Sequence, residues 1–262
     1  MIYVSDQTDE LPNEQAEPNI VEQIAQPMVL QMEDKTAYEL NDYVDSEFQY
    51  VDYGDDVVLV NGFSSEDPEI PDVLYLPASV NGKEVVGVND YAFENVPLNR
   101  VVIPNKYKFI GVQAFNNSGI TDLKLPSGIK TIERYAFSNN RLTDLELDHI
   151  NEELALGDYA FENNNLITIS LPEIQVIPSG AFRGNIIAEL DIPETVTVIK
   201  SHAFQNNQIK RLDFGKRKID NQLRIETSAF NNNKINLRVT LDEGIHYESD
   251  AFDNGVFIGY KK

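Results

Sequence analysis

Asparagine is the residue type whose placement in this chain most invites a chemical reading. It recurs in short runs, at Asn116-Asn117, Asn139-Asn140, Asn163-Asn164-Asn165, Asn206-Asn207 and Asn231-Asn232-Asn233. Stacked amides of this kind can grip a sugar or help to ligate a hard cation. The same residues are also good turn formers, because Asn tolerates a left-handed backbone and its amide bonds nearby peptides. Their regular return favours the turn reading. Asn116-Asn117-Ser118 also fits the N-glycosylation acceptor pattern.

Other candidates are weaker. Asp52-Tyr53-Gly54-Asp55-Asp56 is acidic enough for calcium but lacks the alternating ligands and closing Glu of a calcium loop, so it reads as an acidic turn. Ser201-His202 lies among carboxylates, yet no G-x-S-x-G elbow, H-E-x-x-H pair or Gly-rich phosphate loop accompanies it. His149, His202 and His246 fall at unrelated points of the repeat described below. With no Cys, disulfides and thiolate metal sites are excluded. The expectation is no enzyme, no cofactor and no metal site.

The net charge of −22 is unevenly spread. Residues 1–72 carry 19 acids against the single base Lys35, whereas residues 73–262 carry 24 acids and 20 bases. The body of the chain is close to neutral and its start is strongly acidic, which argues against a nucleic-acid partner there. No apolar run reaches the length of about 18 residues that a membrane span needs. The first residues lack the basic and apolar regions of a secretory signal.

The elements that must position any site come from a repeat. An Ala-Phe pair returns eight times, at Phe93, Phe115, Phe137, Phe161, Phe182, Phe204, Phe230 and Phe252, with steps of 22, 22, 24, 21, 22, 26 and 22 residues. A period in the twenties predicts a stacked solenoid. Five residues past each of the first seven Phe stands an aliphatic residue (Leu98, Ile120, Leu142, Leu166, Ile187, Ile209, Ile235), then an alternation such as Leu145/Leu147 or Leu190/Ile192. That alternation predicts one short strand per coil with one face in the core. Pro104, Pro126, Pro172 and Pro193 follow these strands. The seventh strand slips by one residue to Val239 and Leu241, which predicts disturbed stacking there. Length changes concentrate between strand end and the next Ala-Phe block, on one rim or the outer side.

Three regions follow. Residues 1–45, rich in Glu, Gln, Asp and Pro, read as a mobile or linker-like segment, with at most a short helix around 20–26. Residues 46–88 read as short strands capping the first, incomplete repeat, with turns at Gly54-Asp55, Asn61-Gly62 and Asn81-Gly82. Residues 89–262 carry the repeats and a closing strand.

Leu142-Thr143-Asp144-Leu145-Glu146-Leu147 followed by Leu156-Gly157-Asp158-Tyr159-Ala160-Phe161-Glu162-Asn163-Asn164, with Ile110-Gly111-Val112-Gln113-Ala114-Phe115, resembles the BspA-like class of leucine-rich repeats. This class is typical of bacterial surface proteins and is also seen in some protozoa. The opening around Val73–Val88 and the ending Val256-Phe257-Ile258-Gly259-Tyr260 are similar to those of such domains. Asp148 and Gly215 depart from the pattern where it has Pro, and Gly184 where it has Asn. The resemblance implies a right-handed solenoid of short parallel strands, with short strand or 3-10 turns on the outer side. It also implies a surface or extracellular location and recognition of a host or neighbouring-cell protein through the concave strand face.

The outward positions of the strands are the candidate binding residues: Arg100, Asp122, Lys124, Asp144, Glu146, Thr168, Ser170, Glu189, Asp191, Arg211 and Asp213. A second candidate is a basic cluster at the longest insertion. There Lys210, Lys216, Arg217, Lys218 and Arg224, with Arg211 beside them, could meet a sulfated glycan or anionic wall polymer. A purely structural wall module is the third reading.

Overall fold

The computed structural model describes residues 47–150, 154–215, 222–235, 238–241, 244–253 and 256–260. The acidic segment 1–45 and the bases Lys216, Arg217 and Lys218 lie outside these residues. The described chain is a β-solenoid, and no helix occurs among the described residues. The turns on its outer side are therefore non-helical.

It opens with β1 (Phe48–Gly54), β2 (Val57–Phe63), β3 (Val73–Tyr75), β4 (Ser79–Val80) and β5 (Lys83–Val88). Thereafter two kinds of strand alternate. The first kind follows the Asn turn: β6 (Arg100–Val102), β8 (Asp122–Lys124), β10 (Asp144–Glu146), β12 (Thr168–Ser170), β14 (Glu189–Asp191), β16 (Arg211–Asp213), β18 (Arg238–Leu241) and β20 (Phe257–Tyr260). The second kind precedes the Ala-Phe turn: β7 (Phe109–Ile110), β9 (Thr131–Ile132), β11 (Ala155–Leu156), β13 (Val176–Ile177), β15 (Val198–Ile199), β17 (Leu223–Ile225) and β19 (Ile245–Tyr247). Successive strands of each kind run parallel, as in β6 on β8, β10 on β12 and β15 on β17. The slipped seventh strand, β18, pairs with β20.

The Ala-Phe pairs form the spine. Their alanines from Ala114 onward and the rings from Phe93 to Phe230 are fully buried. Consecutive rings lie nearly parallel from Phe93 to Phe252, with centroids 5.2 to 6.0 Å apart. The backbone doubles this stack. Phe93, Phe115, Phe137, Phe161, Phe182, Phe204 and Phe230 each donate their N–H to the alanine carbonyl of the next coil, at 2.8 to 2.9 Å. Ala serves here because only a small side chain lets coils approach to ring-stacking distance.

The turns from Phe93 to Phe230 bend through left-handed residues two positions before and two after the Phe. The later position is Asn as expected: Asn95, Asn117, Asn139, Asn163, Asn206 and Asn232 have φ of 53 to 60°. The earlier position is unexpected, because Tyr91, Tyr135, Tyr159 and His202 adopt φ of 58 to 64°, a region that bulky residues avoid. Inter-coil bonding offsets the cost. Tyr91, Tyr135, Tyr159 and His202 donate their N–H to Val112, Asp158, Ser179 and Thr227 of the next coil. The Tyr135 and Tyr159 rings also stack at 5.1 Å.

Three positions past the Phe, a second Asn turns inward. Asn140, Asn164, Asn185 and Asn207 are buried. The Oδ1 of Asn164 accepts the Leu142 N–H, and its Nδ2 donates to the carbonyls of Phe137 and Phe161. Asn185, Asn207 and Asn233 repeat this pattern on the coils that follow. The glycan or cation role weighed for these residues is therefore unavailable to the inward amides, which are saturated by their own backbone.

One seam interrupts the solenoid. The strands preceding the turns form one sheet through β11 and a separate one from β13 onward. Elsewhere the residue four positions before the Phe donates its N–H to the previous coil, as in Gly157 to Ile132 and Lys200 to Ile177. In the coil between, that residue is Pro178, which has no N–H to give. The ring gap is also widest here, 6.0 Å between Phe161 and Phe182. Both left-handed positions of this coil are glycine, Gly180 and Gly184. A Cβ at either would strike the Tyr159 ring or the Asn163 amide of the preceding coil.

At the start, β1 and β2 make an antiparallel hairpin, and Phe48 and Phe63 pack edge-on against Phe93. The Asn81-Gly82 turn forms as expected, with both residues left-handed between β4 and β5. Asn61-Gly62 does not turn and lies inside β2. Gly62 is needed there because a Cβ would sit 2.6 Å from the Ala92 carbonyl oxygen. The signal marked a close approach of backbone to the first Ala-Phe turn, not a reversal.

Candidate recognition surface

The strands that follow the Asn turns put their middle residue in the core and their flanking residues outward. Leu74, Val101, Leu145 and Leu190 are buried. Outside, Arg100, Lys124, Asp144, Glu146, Thr168, Glu189, Asp191, Arg211 and Asp213 are exposed, and Asp122 and Ser170 are half-buried. Register aligns these in two rows, because Arg100 pairs with Asp122, Asp144 with Thr168, and Glu189 with Arg211. The ladder bonds are not continuous: β3-β6-β8, β10-β12 and β14-β16 are separate sheets.

Electrostatics divide the face. Near its start, Arg100 bridges Asp122 at 3.0 Å. Further along, Arg211 clamps both Glu189 at 2.9 Å and Asp191 at 2.8 Å, and these bonds hold its guanidinium firmly protonated. Exposed pairs of this kind add little stability. The first pair is balanced, whereas Arg211 offsets only part of the charge of Glu189, Asp191 and Asp213. Between these ion pairs Asp144 takes one bond from the Thr143 hydroxyl, and neither Asp144 nor Glu146 has a cationic partner among the described residues.

Sequence reasoning missed the apolar members. Tyr75 is the most exposed large hydrophobic among the described residues, at 68%, and sits beside Val102 in the β3–β6 register. Its parity was legible, since Leu74 must point inward and therefore Tyr75 outward. Ile167 and Ile186 are also exposed, close together where Ile186 N–H meets the Leu166 carbonyl.

The basic cluster is not assembled among the described residues. Lys210 and Arg211 lie at β16, and Arg211 is spent on the strand face. Arg224 belongs to β17, in the other set of strands, and pairs with Glu226 and Glu248. Lys216, Arg217 and Lys218 fall outside the described residues. Ser201 directs its hydroxyl to Glu226, and His149 meets the Leu125 carbonyl. Burial raises the carboxyl pKa of Glu133, and the charge of Asp90 raises it further. Burial likewise raises Asp90, against the opposing pull of the Val112 N–H bond.

Stacked parallel strands, a periodic asparagine turn and a leucine-rich interior define a leucine-rich-repeat solenoid. The sequence matches the BspA type leucine rich repeat region over residues 86–210 and 154–258, in six copies. The chain belongs to that family. It is similar to a leucine-rich repeat protein from Bacteroides ovatus, with TM-score 0.62 and 18% identity over 84% of this chain and 67% of the other. It is also similar to the leucine rich repeat protein of T. pallidum, with TM-score 0.56 and 24% identity over 65% of this chain and 80% of the other. A leucine rich cell surface protein from Faecalibacterium prausnitzii matches with TM-score 0.53 and 21% identity, over 84% of this chain and 76% of the other. No individually curated protein matches the sequence.

Proposed function

We propose that this protein is a non-enzymatic recognition module at a bacterial surface, binding a host or neighbouring-cell protein through the strand face. The observation that carries this reading is the uncompensated pair Asp144 and Glu146. It lies mid-face between ion-paired coils, with the exposed Tyr75 on the same face three strands away. A partner would present a basic patch beside an apolar contact, since charge steers association and aromatic anchors supply much of the affinity. The family assignment supports the reading, as does the similarity to the Faecalibacterium cell surface protein. Polyanion binding through 210–224 draws no support from Arg211 and Arg224, both already held by carboxylates.

The test is surface plasmon resonance against a panel of purified extracellular-matrix and bacterial surface proteins. The wild type and the variants Asp144→Arg/Glu146→Arg and Tyr75→Ala are compared, each checked for an unchanged Tm. Loss of binding in both variants is expected. Equal binding by all three forms would remove the strand face as the site, and binding to no panel protein would favour a structural wall module.

A further inference from the structure

A second site lies off the strand face, on the side of the coils between the Asn turn and the following strand. In each coil the residue four positions past the Phe lines this side: Pro97, Gly119, Arg141, then Asn165, Ile186 and Gln208. Gly119 has no side chain and adopts φ of +75°. Its absence opens a groove of about 490 Å³ between Pro97 and Arg141. Asp72 and Asn99 border the groove toward the strands, and Asn117 borders it toward the turn.

The groove has unspent hydrogen-bonding capacity. The Arg141 guanidinium has neither ion pair nor hydrogen bond among the described residues. Asp72 uses only Oδ1, which accepts from Asn99 Nδ2 at 2.9 Å, and the Nδ2 of Asn117 donates to Asn95 while its Oδ1 stays open. Much of the backbone, in contrast, is already committed. The N–H groups of Asn95, Asn117, Leu98, Thr121, Asn139 and Arg141 all bond neighbouring coils. These stretches lie outside the strands, so an extended peptide would find no continuous strand edge to join. Hydroxyl groups, each both donor and acceptor, suit a lining of amide, carboxylate and guanidinium side chains.

Charge fixes the orientation. Asp72 and Arg141 sit three coils apart, about 15 Å at the usual strand spacing. One end therefore accepts hydroxyl protons, and the other offers the planar fork that matches a carboxylate. We propose that this groove binds a short saccharide bearing a carboxylate, with the acidic sugar against Arg141 and neutral hydroxyls along Asn117, Asn99 and Asp72. This site is independent of the strand face and of any protein bound there.

The experiment is titration calorimetry of the full chain with trigalacturonate, with sialyllactose, with neutral lactose and with an acidic hexapeptide. The first two arms separate an internal uronate from a terminal sialic acid as the source of the carboxylate. The wild type should bind at least one acidic saccharide and bind lactose much more weakly. Arg141→Ala should weaken that binding about tenfold or more, from loss of a charged hydrogen-bonded pair, and Arg141→Glu should abolish it. Because Arg141 is exposed and unpartnered among the described residues, both variants should keep the wild-type Tm. Binding of the peptide in preference to the sugars, unaltered affinity in Arg141→Glu, or no heat with either acidic saccharide would each overturn the proposal.

Discussion

Replacing Asn164 by alanine isolates what the inward asparagines contribute. The Leu142 N–H and the Phe137 carbonyl, both on fully buried residues, have the Asn164 amide as their hydrogen-bond partner. Alanine leaves both without that partner inside the buried coil. Each orphan costs about 1–3 kcal/mol, so the loss should be about 2–6 kcal/mol. The protein itself supplies an intermediate case. At the equivalent position one coil earlier than Asn140, Ser118 donates its hydroxyl to the Phe93 carbonyl at 2.6 Å. Asn164→Ser should therefore keep the bond to Phe137, lose those to Leu142 and Phe161, and fall roughly midway, since the Phe161 carbonyl keeps the Asn185 amide. Urea denaturation followed by circular dichroism, with the m-value checked for constancy, measures the series. A loss under about 0.5 kcal/mol for Asn164→Ala, or serine no better than alanine, would refute the reasoning.

Three further outcomes follow from the interior. Phe161→Ala removes a ring stacked on Phe137 at 5.5 Å and on Phe182 at 6.0 Å and should cost about 3–5 kcal/mol; unchanged melting would count against the stacked file. Gly180→Ala drives a Cβ into the Tyr159 ring and should cost about 1–3 kcal/mol, with part of the loss recovered in the Tyr159→Ala double variant. Glu133 has a raised pKa in the fold, so the native state holds its proton more tightly than the unfolded chain does. Its charge thus destabilises the fold above the raised pKa, and that penalty vanishes as pH falls below the usual carboxylate value of 4.5. Glu133→Gln should raise Tm at pH 7, leave it unchanged near pH 3, and flatten the slope between; a lower Tm at pH 7 would contradict this.

The repeat was legible because its determinants are local and periodic. The spacing of Phe, Asn and Leu places core residues, turn and strand within each coil, and the structure keeps that order from Phe93 to Phe230. Features arising between coils were less visible. The seam depends on Pro178 lacking an N–H toward Leu156 of the coil before, and Gly180 and Gly184 yield to side chains some 21 residues away in sequence. Asn61-Gly62 was misread because the composition of a turn and of a close backbone contact is the same. The surface was only partly readable. Parity placed the charged rows correctly, but which of them pair across coils was not evident. The basic residues of 210–224 looked contiguous although the chain carries Lys210 and Arg224 to different sets of strands. The groove at Gly119 gave a faint signal, a glycine where other coils have a side chain.

The central claim is that the Ala-Phe repeat builds a single file of coils bonded through their backbones. Amide hydrogen exchange by NMR tests it directly at the N–H groups of Phe93, Phe115, Phe137, Phe161, Phe182, Phe204 and Phe230, each bonded to the alanine carbonyl of the next coil. The account predicts that these seven amides fall together in the slowest-exchanging class, requiring broad unfolding to open. Exchange as fast as that of amides in exposed turns at two or more of them would contradict it.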